Sequence, residues 1–144
     1  MSEERYIAME LGKISNLMKR EFGKNEVRTQ LEEATGKNTW IILYLAEHRD
    51  KDVYQKDIEN TFSIRRSTVS NMLKLMEKKG YIRREAVDTD ARLKKLVLTQ
   101  KALDADRMLK AQLTENERLL RRNISDGELE IFYRVLDKIR ANIE

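Results

Sequence analysis

Apolar residues recur along most of the chain at three- and four-residue spacing, the period of helices that bury one face. Between residues 5 and 22, Ile7, Leu11, Ile14, Leu17, Met18 and Phe22 keep that period while Lys13, Lys19 and Arg20 lie elsewhere around the wheel, which predicts an amphipathic helix. A polar stop, Gly23-Lys24-Asn25, follows, and Val27 to Ala34 adds a short helical stretch before Gly36. Thr39 is placed to cap a helix from Trp40 to His48. Trp40, Ile41, Ile42, Leu43, Tyr44, Leu45 and Ala46 make that helix apolar on nearly every side, so it is expected at the centre of the fold. After the charged break Arg49 to Asp52 comes a short helix at about Tyr54 to Asn60, then Thr61-Phe62-Ser63, where Ser63 is a candidate cap for the next helix.

That next helix, about Ile64 to Lys79, carries Val69, Met72, Leu73 and Met76 at i, i+3, i+4 and i+7. The opposite face collects Ser67, Asn71, Lys74 and Lys78, flanked by Arg66 and Ser70, so one side is core and the other is hydrogen-bond donors. Gly80 ends it as a left-handed cap. Tyr81 to Val87 and Leu93 to Leu98 then read as two strands about the turn Asp88 to Arg92, a hairpin with Arg92 at its tip. Thr99 can cap a long helix to about Arg122, with Leu103, Leu109, Leu113 and Leu120 toward its apolar side. Ser125-Asp-Gly-Glu128 has the form of a capping box and opens a last helix striped by Leu129, Phe132, Val135, Leu136, Ile139 and Ile143.

Composition narrows the chemistry. The 144 residues contain no proline and five glycines, in keeping with uninterrupted helices and short turns. Without cysteine there is no disulfide, thiolate metal site or thiol nucleophile, and one histidine, His48, makes a zinc or Ser/His hydrolase untenable. No glycine-rich phosphate loop or defensible carboxylate pair is present, so no enzyme, cofactor or metal is expected. No apolar run approaches about 20 residues and the start, MSEERYIAMELGK, has no signal-peptide core, so a cytoplasmic protein without membrane contact is expected.

Charge adds a direction. From Ile64 to Lys101 eleven lysines and arginines face four acids, an excess of seven positive charges, whereas the rest of the chain carries a net −3. Such a concentration inside a folded segment suits a surface that meets a phosphate backbone; a merely solvated basic face is the alternative.

A short helix, a tight turn, a polar-faced helix and a basic hairpin, in that order, make the pattern of a winged helix-turn-helix. The major groove of B-DNA admits one helix, so the second helix must present short polar and cationic side chains outward. The candidates are Arg65, Arg66, Ser67, Thr68, Ser70, Asn71 and Lys74 on that helix, and Arg84, Asp90, Arg92, Lys94 and Lys95 on the hairpin, whose tip suits a narrow minor groove. Gln55-Lys-Asp-Ile-Glu, Ser63-Ile-Arg-Arg-Ser-Thr-Val-Ser-Asn, Leu75-Met-Glu-Lys-Lys-Gly-Tyr-Ile-Arg-Arg and Asp90-Ala-Arg-Leu-Lys-Lys-Leu-Val-Leu-Thr together resemble the MarR family of bacterial transcriptional regulators. The resemblance covers about residues 53 to 102 by motif. It departs at Ala91, where a second basic residue is common, at Ala102, where glycine is frequent, and by one extra residue before Gly80.

The resemblance implies a mainly α fold with a small β-hairpin wing, a winged helix-turn-helix plus a helical dimerisation region: residues 1–36 and 102–144 for dimerisation, 37–101 for DNA. It implies a homodimer on an inverted-repeat operator in double-stranded DNA, a repressor released by a small-molecule effector. The apolar stripes of the first and last helices point independently to a second copy, through Ile7, Leu11, Ile14, Phe132, Leu136, Ile139 and Ile143. An intramolecular bundle is the alternative for those stripes. For single residues two readings stand side by side. Asp90 either accepts hydrogen bonds from Arg92 or Arg84 or serves turn chemistry, and Trp40 and Tyr44 either pack in the core or line an effector crevice. His48 suits a helix C-terminus, and Met72 and Met76 suit the core. A non-specific architectural binder and a winged-helix protein adaptor are the rival functions.

Overall fold

The computed structural model describes residues 4–23, 26–36 and 38–144. Within them lie α1 (Ile7–Phe22), α2 (Glu26–Ala34), α3 (Trp40–Glu47), α4 (Gln55–Phe62), α5 (Arg66–Lys78), β1 (Ile82–Val87), β2 (Asp90–Leu98), α6 (Gln100–Leu120) and α7 (Asp126–Ile143). The chain is mainly α with one antiparallel hairpin, as its periodicity predicts. The polar stop at Lys24-Asn25 lies outside the described residues. Two compact units form, one ending at Lys110 and one running from Ala111 to Glu144, with α6 continuing through the boundary.

In the first unit the core is built from the predicted faces. Helix α5 buries Val69, Met72, Leu73 and Met76, α4 buries Ile58, and the hairpin contributes Ile82, Leu96 and Leu98. Helix α4 packs on α5 and β2, and α5 packs on β1 and α2. The Leu96 N–H also donates to the Val53 carbonyl at 2.8 Å, which ties the segment before α4 to the sheet edge. Helix α3 buries Ile41, Ile42, Leu43 and Leu45, but Trp40 is 54% exposed. A helix advances about 100° per residue, which gathers Trp40, Tyr44 and Glu47 into an arc of about 60° on the outward side. Trp40 is therefore not core packing within this unit. Tyr44 is half-buried, stacked on His48 at 4.1 Å between centroids, and His48 Nδ1 donates to the Tyr44 carbonyl at 2.8 Å, a helix C-terminal role as expected.

Two local readings are corrected. Ser63 does not cap α5: it ends α4 in the left-handed region, φ 51° and ψ 47°, donating its N–H to Glu59. The tight turn needs a left-handed residue, and placing it at Ser63 moves the N-cap of α5 to Arg65, whose side chain makes no capping bond. The hairpin turn is also shorter than the five residues expected, because pairing resumes at Val87 opposite Asp90. The register jumps between Ala86, opposite Lys94, and that pair, so Arg92 sits in a bulge within β2.

The end of α5 is stitched to the start of α6. Thr99 Oγ1 donates to the Gly80 carbonyl at 2.6 Å and accepts the Ala102 N–H at 3.3 Å, while Lys101 Nζ donates to the Lys79 carbonyl at 2.9 Å and lies 4.5 Å from the centre of the Tyr81 ring. Carbonyls orphaned at one helix end are thus satisfied by the next helix. Thr99→Ala is expected to cost about 1 kcal/mol, the usual worth of an N-cap, read as a lower urea midpoint at unchanged slope.

The second unit holds the end of α6 and all of α7. Asn123 takes φ 61° between α6 and α7, and the predicted capping box is complete: Ser125 Oγ accepts the Glu128 N–H at 3.1 Å and Glu128 Oε1 accepts the Ser125 N–H at 3.0 Å. The Ser125 N–H, with help from its hydroxyl, holds the Glu128 carboxyl below the usual carboxylate range. The cap is therefore in force above that range and is lost as the pH falls through the lowered value. No residue of α7 is buried.

Candidate nucleic-acid interface

Hydrophobic anchoring of one face of α5 leaves the other in solvent. Arg65, Arg66, Ser67, Thr68, Asn71 and Lys74 are all exposed, and Ser70 is half-buried. Arg66 and Ser70 do more than face solvent: with Tyr54, Gln55, Lys56 and Glu59 of the α4 segment and Arg84, Arg92, Leu93, Lys94 and Leu96 of the hairpin they line a groove of about 490 Å³. Five cationic side chains and one carboxylate stand on its walls, an arrangement that raises the local concentration of anions.

The hairpin residues divide. Arg92 and Lys94 are exposed on the groove side, while Lys95, next along the alternating strand, turns to the other face and pairs with Asp52 at 3.7 Å. Arg84 is half-buried and its Nε lies 3.4 Å from Glu77 of α5, which braces the hairpin base against the helix. Asp90 Oδ1 accepts a hydrogen bond from the backbone N–H of Arg92 at 2.9 Å, so the two readings of Asp90 merge: it takes a bond from Arg92, and that bond is a turn contact that stiffens the bulge.

The α4 wall was not foreseen. Gln55 Nε2 donates to Ser70 Oγ at 2.7 Å and lies 3.4 Å from the Arg66 carbonyl. The one legible sign is position: Gln55 stands three residues before buried Ile58 at the start of an amphipathic helix, at a place where no core role competes. Its partner lies fifteen residues away, beyond the reach of periodicity.

None of the proposed dimer residues is buried among the described residues. Helix α1 has no buried residue, and Ile7, Leu11 and Ile14 are exposed. On α7, Phe132 and Ile143 are exposed and Leu136 and Ile139 half-buried. Among the described residues no cluster of His, Cys, Asp and Glu could hold a metal, and no helix is long and apolar enough to cross a membrane.

Comparison with known proteins agrees with this geometry. Residues 35–93 match the model of the MarR family. The fold is similar to the transcription regulator MarR from Oenococcus oeni PSU-1, at 26% identity and a TM-score of 0.79, covering 94% of this chain and 99% of that one. It is similar to MepR of S. aureus in a complex with DNA, at 25% identity and a TM-score of 0.81 over 99% of this chain and 100% of that one. It is also similar to the heme sensor protein PefR from Streptococcus agalactiae in complex with heme, at 25% identity and a TM-score of 0.62 over 94% of this chain and 89% of that one.

Proposed function

For a chain whose residues 35–93 match the MarR family and whose fold is similar to that of transcription regulators, we propose sequence-specific binding of double-stranded DNA as a homodimer. Residues 37–101 hold the DNA and residues 1–36 and 102–144 supply the second-copy contacts. The observation that carries the reading is the exposed donor face of α5 lying beside a cation-lined groove that the hairpin completes. In this reading α5 enters the major groove, Arg66, Ser67, Thr68, Ser70, Asn71 and Lys74 reach base edges, Arg65 and Arg84 hold the backbone, and Arg92 and Lys94 follow the adjacent groove. Lys95, turned toward Asp52, reinforces the field without touching the duplex. MepR is described in a complex with DNA, which supports the same docking here.

Two copies related by a two-fold axis set their recognition helices about 34 Å apart, one turn of DNA, so the site is an inverted repeat. Occupying such a site across a promoter excludes polymerase, and a repressor is the simplest regulator of this construction. A small-molecule effector that favours another spacing of the two helices releases it; the heme-bound relative is a sensor on the same fold, which supports this part of the reading.

Selection of random duplexes by the purified protein, followed by sequencing, tests the reading. An enriched inverted repeat with half-sites about ten base pairs apart is expected. Tight binding without enrichment, lost steeply with salt, would instead mean an architectural binder, and no binding at low salt would mean an adaptor. On the enriched site Asn71→Ala and Arg66→Ala are each expected to cost about 1–3 kcal/mol and to relax the preferred sequence. Arg92→Ala is expected to weaken all duplexes nearly equally and to lower the salt slope by about one. Equal losses on specific and random duplexes for all three would contradict this division.

A further inference from the structure

We propose that Gln55 is a positioning residue that sets the hydrogen-bond polarity of Ser70, so that the Ser70 hydroxyl turns its proton into the groove and selects a hydrogen-bond acceptor on the DNA. The inference rests on the DNA-binding reading above. Its starting point is the pair of contacts made by the Gln55 amide, 2.7 Å from Nε2 to Ser70 Oγ and 3.4 Å from Nε2 to the Arg66 carbonyl. A carbonyl only accepts, so the end of the amide that faces it is the nitrogen, and the same nitrogen faces Ser70. Ser70 Oγ is therefore an acceptor in this contact.

A hydroxyl has one proton to give. In a helix interior serine usually returns it to the carbonyl four residues back, which here is Arg66. That carbonyl already takes the approach of Gln55, and the Ser70 hydroxyl makes no bond to it in the described structure. The proton is left for whatever occupies the groove, whose walls carry Lys56, Arg66, Arg84, Arg92 and Lys94 as donors and Glu59 as the one carboxylate. Gln55 itself is free for this task because the first turn of α4 is capped by others: the Tyr54 N–H donates to Asp57 Oδ2 at 2.8 Å. In the major groove the acceptors are guanine O6 and N7, adenine N7 and thymine O4, whereas the amino groups of cytosine and adenine are donors, which a hydroxyl already accepting from Gln55 and a wall of five cations against one carboxylate disfavour. A backbone phosphate offers the same acceptor chemistry.

The test compares the full-length protein with Gln55→Glu, Ser70→Ala and the double variant on duplexes carrying each of the four bases at each position of the selected site. A carboxylate at residue 55 cannot donate, so Ser70 must turn its proton back to it, and the groove loses its donor while the side chain keeps its size. Each single variant is expected to lose about three- to tenfold in affinity, and the double variant no more than either alone. Loss confined to one base position identifies a base edge as the acceptor, and loss uniform over all duplexes identifies a phosphate; either outcome with coupling supports the polarity. Additive losses, or losses at different positions, overturn it, and Gln55→Ala serves as the second variant should Gln55→Glu lower the unfolding midpoint. If the unaltered protein binds no duplex, the DNA-binding reading and this inference both fall; if it binds and the losses are uncoupled, this inference alone falls.

Discussion

A chain with glutamate in place of both Ile14 and Phe132 is expected to sediment as a monomer and to bind its DNA site at least about a hundredfold more weakly. In the single chain both side chains are about half exposed, and neither α1 nor α7 buries any residue. Two long helices with open aliphatic stripes exceed the scattered apolar exposure of a soluble monomer. Covering them stabilises a dimer by about 25 cal/mol for each Å² of apolar surface removed from water. A carboxylate set into such a contact loses its hydration without gaining a partner, and two-fold symmetry repeats each substitution in the second copy, for four buried carboxylates in all. Once the copies separate, the second half-site no longer benefits from an effective concentration that is worth about 10² to 10⁴ in avidity. Sedimentation velocity and a DNA titration measure both halves of the expectation. A variant that stays dimeric with unchanged affinity would show that these stripes are not the interface, and an unaltered protein that is monomeric at micromolar concentration would return the stripes to an intramolecular bundle.

Much of this architecture could be read along the chain because it depends on local rules. The buried face of α5 follows from the spacing of Val69, Met72, Leu73 and Met76, and the box at Ser125 and Glu128 follows from two side chains three residues apart, each satisfying the other's backbone. What escaped the sequence depends on partners far along the chain or on choices between near-equal local states. Ser63 suits either a helix cap or a left-handed turn, and only the angle between α4 and α5 decides for the turn. The hairpin residues alternate in either register, so the bulge that displaces Arg92 and the face that takes Lys95 to Asp52 leave no trace in the pattern. Trp40 belongs to an almost wholly apolar helix, and only the packing of its neighbours shows which arc is left outside. The groove is the extreme case, since α4, α5 and β2 each contribute side chains that no single periodicity relates.

The same separation of faces predicts a crossed pair of effects on α5. Leu73→Ala is expected to lower the stability of the first unit by about 2–5 kcal/mol, whereas Asn71→Ala, two residues earlier, leaves stability within about 0.5 kcal/mol and acts on DNA alone. Leu73 is fully buried and Asn71 exposed. Alanine is at least as good a helix former as leucine, so the loss comes from the cavity and the forfeited contacts, not from the helix itself. Whole domains are held by only about 5–15 kcal/mol, so the substitution removes a large share and is expected to lower the melting temperature by more than about 8 °C. At 25 °C a residual stability of about 3 kcal/mol still keeps more than 99% of the chains folded, and the DNA affinity of Leu73→Ala stays near that of the unaltered protein. Melting curves and DNA titrations of the two variants give four values. A small stability loss for Leu73→Ala would mean that the inward face of α5 is loosely packed, and a stability loss for Asn71→Ala matching its DNA loss would mean that this residue supports the helix and does not read the duplex.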